Sequence, residues 1–442
     1  MEKEIELDEN KQYKMPNFKM VEYKGIYLVI AYETGNWIVL YNEIQKNIFD
    51  YICCGHILKE VIEKFADNVE EVYKVLVQLE AKQFTNLNVQ NIENGETMQL
   101  YITNNCNLRC KHCYMYADYE KENEITLDEI KKLCSNFKIQ GGKYVTLTGG
   151  EVTTRNDLDK IIKFLHNLDL GIHILSNGVN WSDELIELVA QSNVERVQIS
   201  LDGFDEKSNS MIRGVGVFDK ILDTIDKLVK KNVNVSVAVT PLYEVALKNK
   251  EKYIKFSKSL VEKYKDYNFV LNFSFELMEG RNLSKREIEE NNKSYMKLME
   301  EINSSVYPNS DIDSFVENHR NNKIFNNCGY GRINVSPTGD IFFCARITDV
   351  KKYANIREDS FEEIFLKVKQ VRKLSDINNL KPCNLCELKY ICGGGCRVNE
   401  FPELTQIDDL EGKNNIKPRK CTKESKEKLY KLMIDANERL FR

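Results

Sequence analysis

The chain is poor in proline and lacks any long apolar run. It has 7 prolines in 442 residues, and no apolar stretch approaches the roughly 20 residues that a membrane-spanning helix requires. Its first residues, MEKEIELDEN, are acidic and polar, so we expect no secretory signal. With 42% hydrophobic and 30% charged residues, the sequence predicts a folded, soluble, cytoplasmic protein.

A large charge of one sign is also missing. The formal net charge is -5 at pH 7, which is small for this length. Proteins that are drawn to nucleic acid or to an anionic membrane by charge carry a marked positive excess. We therefore expect no nucleic acid and no membrane among the partners.

What the sequence does have is 13 cysteines. In a chain with no secretory signal, they indicate metal or redox chemistry more than disulfides. Cys53, Cys54 and Cys134 lie in helix-like apolar patterns, so we predict that these three are core residues. The other ten form two patterned groups, within residues 106–113 and 328–421.

The first group is the run C-N-L-R-C-K-H-C-Y, which supplies Cys106, Cys110 and Cys113. Three thiolates on a [4Fe-4S] cluster leave one iron without a protein ligand, where an external molecule can bind. The competing interpretations are a zinc knuckle and a set of core cysteines. A closed zinc site needs a fourth Cys or His at short spacing, and His112 is confined between two of the proposed ligands.

The spacing C-x3-C-x2-C followed by an aromatic residue resembles the radical S-adenosylmethionine (SAM) superfamily. The resemblance implies that SAM chelates the open iron and that Tyr114 lies against its adenine, although a core aromatic is an equal alternative. The run Thr148-Gly149-Gly150-Glu151 resembles the superfamily's G-G-E motif. Two glycines let a backbone approach a ligand closely, and their carbonyls can receive the SAM ammonium group.

Further polar residues follow the third and fourth predicted strands. The resemblance implies that Ser176 lies near the SAM ribose, with a helix N-cap as the competing interpretation. Ser200, Asp202 and Arg213 belong to a block that resembles the S-L-D-G…R-G stretch of SPASM-containing radical SAM enzymes. Arginine binds carboxylates through paired hydrogen bonds, so Arg213, helped by Ser200, is the candidate for the SAM carboxylate. Asp202 is either catalytic or the cap of the next element.

Residues 96 to about 290 alternate between strand-like and helical patterns. Six βα units of this kind predict an α/β fold with a parallel sheet and helices outside it. The resemblance implies an open, partial (β/α)6 barrel, in which the chemistry lies at the carboxyl ends of the strands. The strand-like runs are 99–103, 144–148, 171–176, 194–200, 233–240 and 269–276.

Residues 1–95 show strand-like runs at 25–31 and 37–40, helical stretches at 43–52, 57–65 and 69–82, and an extended piece near 84–89. This order suggests a winged helix-turn-helix and resembles the RiPP recognition element, which binds the leader of a ribosomally made peptide. The alternative is a DNA-binding winged helix. Against it, the third helix is mostly acidic, whereas surfaces that follow phosphates are basic.

The second cysteine group reads C-N-L-C-E-L-K-Y-I-C-G-G-G-C-R at its centre and resembles the SPASM domain, which binds two auxiliary [4Fe-4S] clusters. By this resemblance one set of four cysteines ligates the distal cluster, and a set of three holds the cluster nearer the active site. Two fully ligated clusters need eight thiolates and only seven are present, so one iron is predicted to be open. Zinc is the alternative. The set of four is Cys383, Cys386, Cys392 and Cys421, and the set of three is Cys328, Cys344 and Cys396.

The resemblance divides the chain into four parts: a leader-binding domain (1–95), the radical SAM barrel (96–290), a helical bridge (291–327) and the SPASM domain (328–442). It implies a maturase that binds three [4Fe-4S] clusters and SAM. An electron donor such as a flavodoxin or ferredoxin supplies one electron, and the 5'-deoxyadenosyl radical then takes a hydrogen from a ribosomal precursor peptide. The open auxiliary iron suggests that a peptide cysteine is held there, as for the thioether-forming sactipeptide and ranthipeptide maturases.

Three other functions stay open. One is a maturase that forms carbon–carbon crosslinks, and another is a SPASM protein that activates a second enzyme. The third is a peptide-binding or electron-transfer protein whose clusters serve only structural or redox roles. The G-G-E and S-L-D-G…R-G blocks argue against the third, since an electron carrier needs no SAM pocket.

The cysteine pattern predicts the metal content. Anaerobically reconstituted protein should hold about twelve iron atoms per chain if each of the three clusters has four irons. Replacing Cys106, Cys110 and Cys113 with Ala should remove about four of them and all formation of 5'-deoxyadenosine. Iron analysis and chromatography of the SAM products measure both effects. A triple variant that still cleaves SAM, or zinc in residues 328–421, would contradict the prediction.

Overall fold

The structure is a computed structural model that describes residues 8–91, 97–319, 323–406 and 416–441. It contains two compact units, each assembled from more than one stretch of chain. The first takes its described residues from Met1–Glu93, Asn309–Cys328 and Lys373–Arg442, and the second from Asn94–Pro308 and Gly329–Arg372. Every helix among the described residues is too short or too polar to cross a bilayer.

The chain begins with an antiparallel sheet of three strands in the order β1-β2-β3, followed by three helices. The sequence predicts β2, β3 and the helices but misses β1, an edge strand whose residues are all at least partly exposed. The extended piece expected near residues 84–89 is wrong, since the next strand is β4 (Gln90–Asn91). The first elements are β1 (Phe18–Tyr23), β2 (Ile26–Ala31), β3 (Trp37–Leu40), α1 (Glu43–Cys53), α2 (Leu58–Lys64) and α3 (Val69–Ala81).

Strands and helices then alternate along the second unit. They are β5 (Thr97–Tyr101), α4 (Leu127–Ile139), β6 (Tyr144–Thr148), α5 (Leu158–Asn167), β7 (Gly171–Ser176), α6 (Asp183–Ala190), β8 (Val194–Ser200), α7 (Glu206–Arg213), α8 (Phe218–Lys230), β9 (Val235–Val239), α9 (Tyr243–Lys248), α10 (Lys250–Lys263), β10 (Phe269–Phe273) and α11 (Lys285–Val306).

The remaining elements are mostly short. They are α12 (Ser310–Asn318), β11 (Lys323–Ile324), β12 (Ile333–Val335), β13 (Asp340–Phe342), β14 (Ala354–Asn355), α13 (Phe361–Ser375), α14 (Lys389–Cys392), α15 (Arg397–Glu400) and α16 (Lys423–Phe441). Strand β11 pairs with β4 in parallel.

In the first unit, strands β2 and β3 of the three-stranded sheet pack against apolar residues on both faces. Val29 packs in one apolar cluster with Phe49 of α1. On the opposite face, Trp37 packs in a second cluster with Phe315 of α12 and Met433 of α16. The predicted domain 1–95 thus shares its core with C-terminal segments. Both sets of alternating residues in its strands β2 and β3 are apolar, so both faces of these strands have to be covered. The winged-helix assignment and the four-part division of the chain stay predictions.

The second unit is built on one open sheet in the order β10-β9-β8-β7-β6-β5-β12-β13-β14. Strands β5 to β10 are parallel and lie side by side in chain order, as the six predicted βα units require. Beyond β5, the parallel strand β12 and the antiparallel strands β13 and β14 extend the sheet. The sequence does not indicate these three, since two or three residues are too few to show an alternation.

The three cysteines predicted to be core residues separate into two classes. Cys134 of α4 is buried as expected, whereas Cys53 and Cys54 are exposed, so the prediction is wrong for this pair. The apolar stripe of α1 is formed by Ile48, Phe49 and Ile52, which leaves Cys53 at the end of the helix on the solvent side.

An ion pair at the start of α4 predicts a pH dependence of stability. Glu129 accepts a hydrogen bond from the backbone N–H of Thr126 at 2.8 Å, and Arg357 Nε lies 2.6 Å from its carboxylate. The hydrogen bond from Arg357 is the main cause that lowers the pKa of Glu129 to about 2. In the unfolded chain the carboxyl of a glutamate has a pKa of about 4.3. The ionised Glu129 therefore contributes to the stability of the folded protein above that pH, and this contribution is lost as the pH falls through the folded pKa.

We therefore expect Arg357→Gln to lower the free energy of unfolding by about 0.5–1 kcal/mol at pH 7, a small value because both side chains are partly exposed. The loss should shrink as the pH falls from about 5 through the folded pKa of about 2. Urea denaturation at several pH values measures it, and the same substitution in a Glu129→Gln background is the control. An equal loss at all pH values would show that the ion pair is not its cause.

Candidate active site

A cavity of about 360 Å³ lies at the carboxyl ends of the parallel strands in the second unit. Most of the residues that the sequence assigns to SAM and its cluster line this one space. The exceptions are Glu151 and Asp202, which lie behind its wall. The predicted residues in the lining are Cys106, Cys110, Cys113, Tyr114, Gly149, Gly150, Ser176, Ser200 and Arg213.

The loop that carries the three cysteines is held by backbone hydrogen bonds from two sides. The N–H of Lys111 donates to Ile212 O at the end of α7 at 3.0 Å. From the other side, Arg281 N donates to Cys113 O at 3.1 Å and Asn282 N donates to Lys111 O at 2.7 Å. The cysteines are therefore presented by a loop whose backbone is fixed between two parts of the same unit.

Gly280 lets the second of these segments come close to the loop. A Cβ at this position would lie 2.7 Å from both the carbonyl carbon and the oxygen of His112, which is closer than side chains approach backbone. In the sequence, Gly280 and Arg281 resemble the adenine-side edge of the radical SAM site, which does not indicate this packing role.

The glycine pair after β6 makes a similar close approach. A Cβ on Gly149 would lie 2.3 Å from Thr103 O, and one on Gly150 would lie 2.3 Å from Asn105 O. Gly150 N donates to Thr103 O at 2.8 Å, which joins this turn to the segment that leads into Cys106. The glycines are thus needed for packing against the cysteine loop as well as for their predicted role toward SAM, which stays a prediction.

Glu151 is buried and positions the turn after β7. Its carboxylate accepts hydrogen bonds from Ser176 Oγ at 2.7 Å and from Asn177 N at 2.6 Å. Burial raises the pKa of this carboxyl although these hydrogen bonds oppose the rise. Because Ser176 Oγ also accepts from Trp181 Nε1 at 2.9 Å, its hydroxyl is engaged within the protein. The helix-cap alternative for Ser176 is wrong, since Ser182 caps α6.

Asp202 is fully buried and joins three parts of the site. Its Oδ1 accepts from the Thr240 backbone N–H at 2.8 Å, and its Oδ2 lies 2.8 Å from His112 Nε2 and 2.7 Å from Arg213 Nε. Burial would raise the pKa of Asp202, but the charges of Arg213 and His112 hold it below its ordinary value. The carboxylate therefore stays ionised and orients two residues of the cavity wall. Its alternative role as a cap is wrong, because Asp205 caps α7.

Arg213 lies between this carboxylate and a cysteine. Its Nη1 is 3.7 Å from Cys110 Sγ, while its Nε faces Asp202. Asn177, which the sequence assignment leaves out, places its amide 3.9 Å from Cys106 Sγ. Two N–H donors thus face cysteine sulfurs, which suits thiolate ligands that carry negative charge. The predicted role of Arg213 toward the SAM carboxylate stays a prediction.

Tyr114 belongs to a pair of tyrosines. Its hydroxyl lies 3.4 Å from that of Tyr101, which is buried and donates to Ala345 O at 2.6 Å. Burial raises the pKa of both phenols, so both are protonated at neutral pH. Tyr114 thus has a core-facing hydroxyl and a ring that lines the cavity, which is compatible with both of its predicted roles.

The donor set fits an iron–sulfur cluster, because Cys106, Cys110 and Cys113 line one cavity and cysteine thiolates are the usual ligands of such clusters. Burial raises the pKa of Cys106 to about 11, so binding a metal there must release a proton.

A second cysteine-lined cavity, of about 350 Å³, lies in the first unit. Cys383, Cys386, Cys392 and Cys421 all line it, as their assignment to one distal cluster requires. Of the other three predicted auxiliary ligands, Cys328 and Cys396 belong to the first unit and Cys344 to the second. Their assignment to one cluster stays a prediction.

Comparison with known proteins identifies the domain around the first cavity. Residues 100–256 match the family model of the Radical SAM superfamily. These residues therefore form a radical SAM domain. It is similar to the AdoMet-dependent heme synthase of Methanosarcina barkeri, with 26% identity over 324 residues that cover 68% of this chain and 90% of the relative.

Two further similarities concern a sequence relative and a solved structure. The sporulation killing factor maturation protein SkfB of Bacillus subtilis is 32% identical over 141 residues, or 32% of this chain and 34% of that protein. The solved structure of native anSMEcpe with bound AdoMet and Cp18Cys peptide has a TM-score of 0.55 and 16% identity, covering 77% of this chain and 99% of that one. The predicted radical SAM α/β fold with its parallel sheet is thereby confirmed.

Because the Gly280 backbone lies so close to the cysteine loop, we expect that adding a single methyl group at this position disturbs the loop. Gly280→Ala should push the cysteine loop away from residues 280–282 and reduce the iron bound after reconstitution by about four atoms per chain. Gly141→Ala is the control for destabilisation without contact to the cysteine loop, because its φ of +87° strains an alanine although nothing lies within 4 Å of a Cβ there. Iron analysis and the thermal unfolding of the apo-protein separate loss of the site from general destabilisation. Full iron content in the Gly280 variant would contradict the proposed role.

Proposed function

We propose that this radical SAM protein modifies a ribosomally made precursor peptide. The observation that carries the proposal is the single cavity in which three cysteines, a glycine pair and a buried arginine meet at the carboxyl ends of the strands. A [4Fe-4S] cluster and SAM held there would, with one electron from a reductant, supply the radical chemistry that breaks an unactivated C–H bond.

The residues of the chain supply orientation and charge for this chemistry. We assign the cluster to Cys106, Cys110 and Cys113, and the SAM carboxylate to Arg213. Asp202 keeps Arg213 charged and fixes its direction through the 2.7 Å ion pair. A charged, preorganised guanidinium binds a carboxylate without reorganising when the ligand arrives. Asp202 is thus better assigned as a positioning residue than as a group that contacts the substrate.

A peptide substrate is supported by two of the related proteins and by the first unit. SkfB is named as a maturation protein, and the anSMEcpe structure contains a peptide beside AdoMet. The three strands and three helices of residues 18–81 support a leader-binding role for this part of the chain. The heme synthase relative favours a tetrapyrrole as the alternative substrate, since the chain covers 90% of its length.

We place the leader at β1, the opposite edge of the three-stranded sheet from β3. The outer edge of β3 is occupied, since Gln78 bonds both the N–H and the C=O of Val39 at 2.8 Å and Lys82 Nζ donates to Trp37 O at 2.9 Å. Strand β1 has β2 as its only strand neighbour among the described residues. An extended leader adding to β1 would complete its backbone hydrogen bonds.

Adjacent proline substitutions test this placement. Backbone N–H groups of successive strand residues point to opposite sides, so only one of Met20→Pro and Val21→Pro removes a bond to β2. The other substitution removes an N–H that points away from β2, so it should leave the fold intact. It should weaken binding of a labelled leader at least tenfold, measured by fluorescence anisotropy on the full chain. The probe is the peptide encoded beside the gene. Unchanged affinity in both folded variants would remove β1 as the docking strand.

The bond that forms is proposed to be a thioether between a cysteine sulfur and a carbon of the peptide. Incubation with SAM and reductant should then yield a product lighter by two hydrogen atoms, in which one cysteine no longer reacts with iodoacetamide. A peptide with Ser in place of that Cys should give no such product. A product of the same mass whose cysteines all remain free would favour a carbon–carbon crosslink, and turnover of a porphyrin but not of the peptide would favour the heme-synthase alternative.

A further inference from the structure

The cavity around the four distal cysteines has a cationic wall. Four positively charged side chains line it together with one carboxylate, Glu387. A cluster held by four thiolates is an anionic group, so this wall has the sign that such a group requires. The cationic residues are Lys19, Lys389, Arg419 and Lys426.

Three of these cations have partners other than a cysteine. Lys19 and Lys426 both pair with Glu387, at 3.2 Å and 2.9 Å, so their charges are partly balanced. Lys389 directs its ammonium group to Asn378 Oδ1 at 3.2 Å. Lys426 also forms a hydrogen bond with Cys386, so its ammonium group is shared between Glu387 and a ligand sulfur.

Arg419 is directed at a sulfur. Its Nη1 donates to Cys392 Sγ at 3.6 Å, and its side chain is 13% exposed. The group is held in this direction, because Nε lies 2.7 Å from Glu400 Oε2 and the backbone N–H donates to Lys381 O at 3.0 Å. The direction of this donor is therefore set by contacts within the protein.

The charge of Arg419 also reaches a second cysteine of the cavity. Cys383 and Arg419 line the same cavity, so the positive charge of Arg419 also acts on this second sulfur. An N–H donor and a positive charge beside a ligand sulfur stabilise the more negative, reduced form of an iron–sulfur centre.

We propose that Arg419 raises the reduction potential of the distal iron–sulfur centre through its hydrogen bond to Cys392. The inference rests on the proposed function, since it takes the four cysteines as ligands of a [4Fe-4S] cluster. Arg419 touches a ligand rather than the substrate, so it is a positioning residue. A similar contact occurs in the second unit, where Arg213 faces Cys110 at 3.7 Å.

The experiment compares Arg419→Gln with Lys389→Gln. Lys389 is a matched control because it lines the same cavity, carries the same charge and makes no contact with a cysteine sulfur. Both substitutions are made in the reconstituted full chain in a background that lacks Cys106, Cys110 and Cys113, so that only the auxiliary centres contribute. Redox titration followed by electron paramagnetic resonance gives the midpoint potential, and iron analysis gives the cluster content.

Arg419→Gln should retain the iron of the background protein and shift one midpoint potential to a more negative value, while Lys389→Gln leaves it unchanged. Unchanged potentials in Arg419→Gln, or equal shifts in both variants, would overturn the inference. If Arg419→Gln loses iron, the test uses Arg419→Lys instead. A more negative midpoint potential in this variant supports a role for the guanidinium N–H, and an unchanged potential refutes the proposal. Zinc in place of iron in the unsubstituted protein would contradict the proposed cofactors, a failure distinguishable from an unshifted potential.

Discussion

The buried carboxylate of Asp202 is the interaction on which the candidate active site depends. It bonds a backbone N–H that follows β9, an arginine at the end of α7 and a histidine inside the cysteine loop. A buried carboxylate is tolerated only when such partners compensate for its lost hydration. The same set of contacts therefore keeps the charge inside the protein and fixes the cysteine loop relative to the strand ends.

Other contacts support the same arrangement. Close backbone approaches at Gly149, Gly150 and Gly280 bring neighbouring turns against the cysteine loop, and Glu151 holds the turn after β7. All of these groups pack against or hydrogen-bond to other parts of the protein. The cavity is consequently rigid at its base, as a site must be if a reactive radical is to meet only its intended substrate.

Much of this fold can be predicted from the sequence. The strands at Tyr144–Thr148, Gly171–Ser176 and Val194–Ser200 have the predicted bounds, because apolar runs between helical patterns are typical of a parallel sheet. Strand β1 and the strands β12–β14 escape prediction because they are half-exposed or very short. The prediction that Cys53 and Cys54 are core residues is wrong, because an apolar helix pattern does not show whether the residues at the end of the helix face the core or the solvent.

The sequence predicts which residues line the candidate site but not which of their side chains contact each other. Sequence motifs indicate the residues around the cavity, yet the partner of Asp202 in the cysteine loop is 90 positions away in the chain. The same holds for Arg419 and Cys392, which are 27 positions apart and belong to no shared motif. Such pairs are set by how elements pack, which local patterns do not record.

The most direct test of the account is whether SAM binds to the iron centre at Cys106, Cys110 and Cys113. Electron–nuclear double resonance of the reduced protein with SAM labelled with 15N and 17O in its methionine part measures this. We predict strong hyperfine couplings from both nuclei, which disappear in the Cys106→Ala variant. Couplings absent from the fully loaded native protein would show that the cavity holds no SAM-binding cluster and would contradict the account.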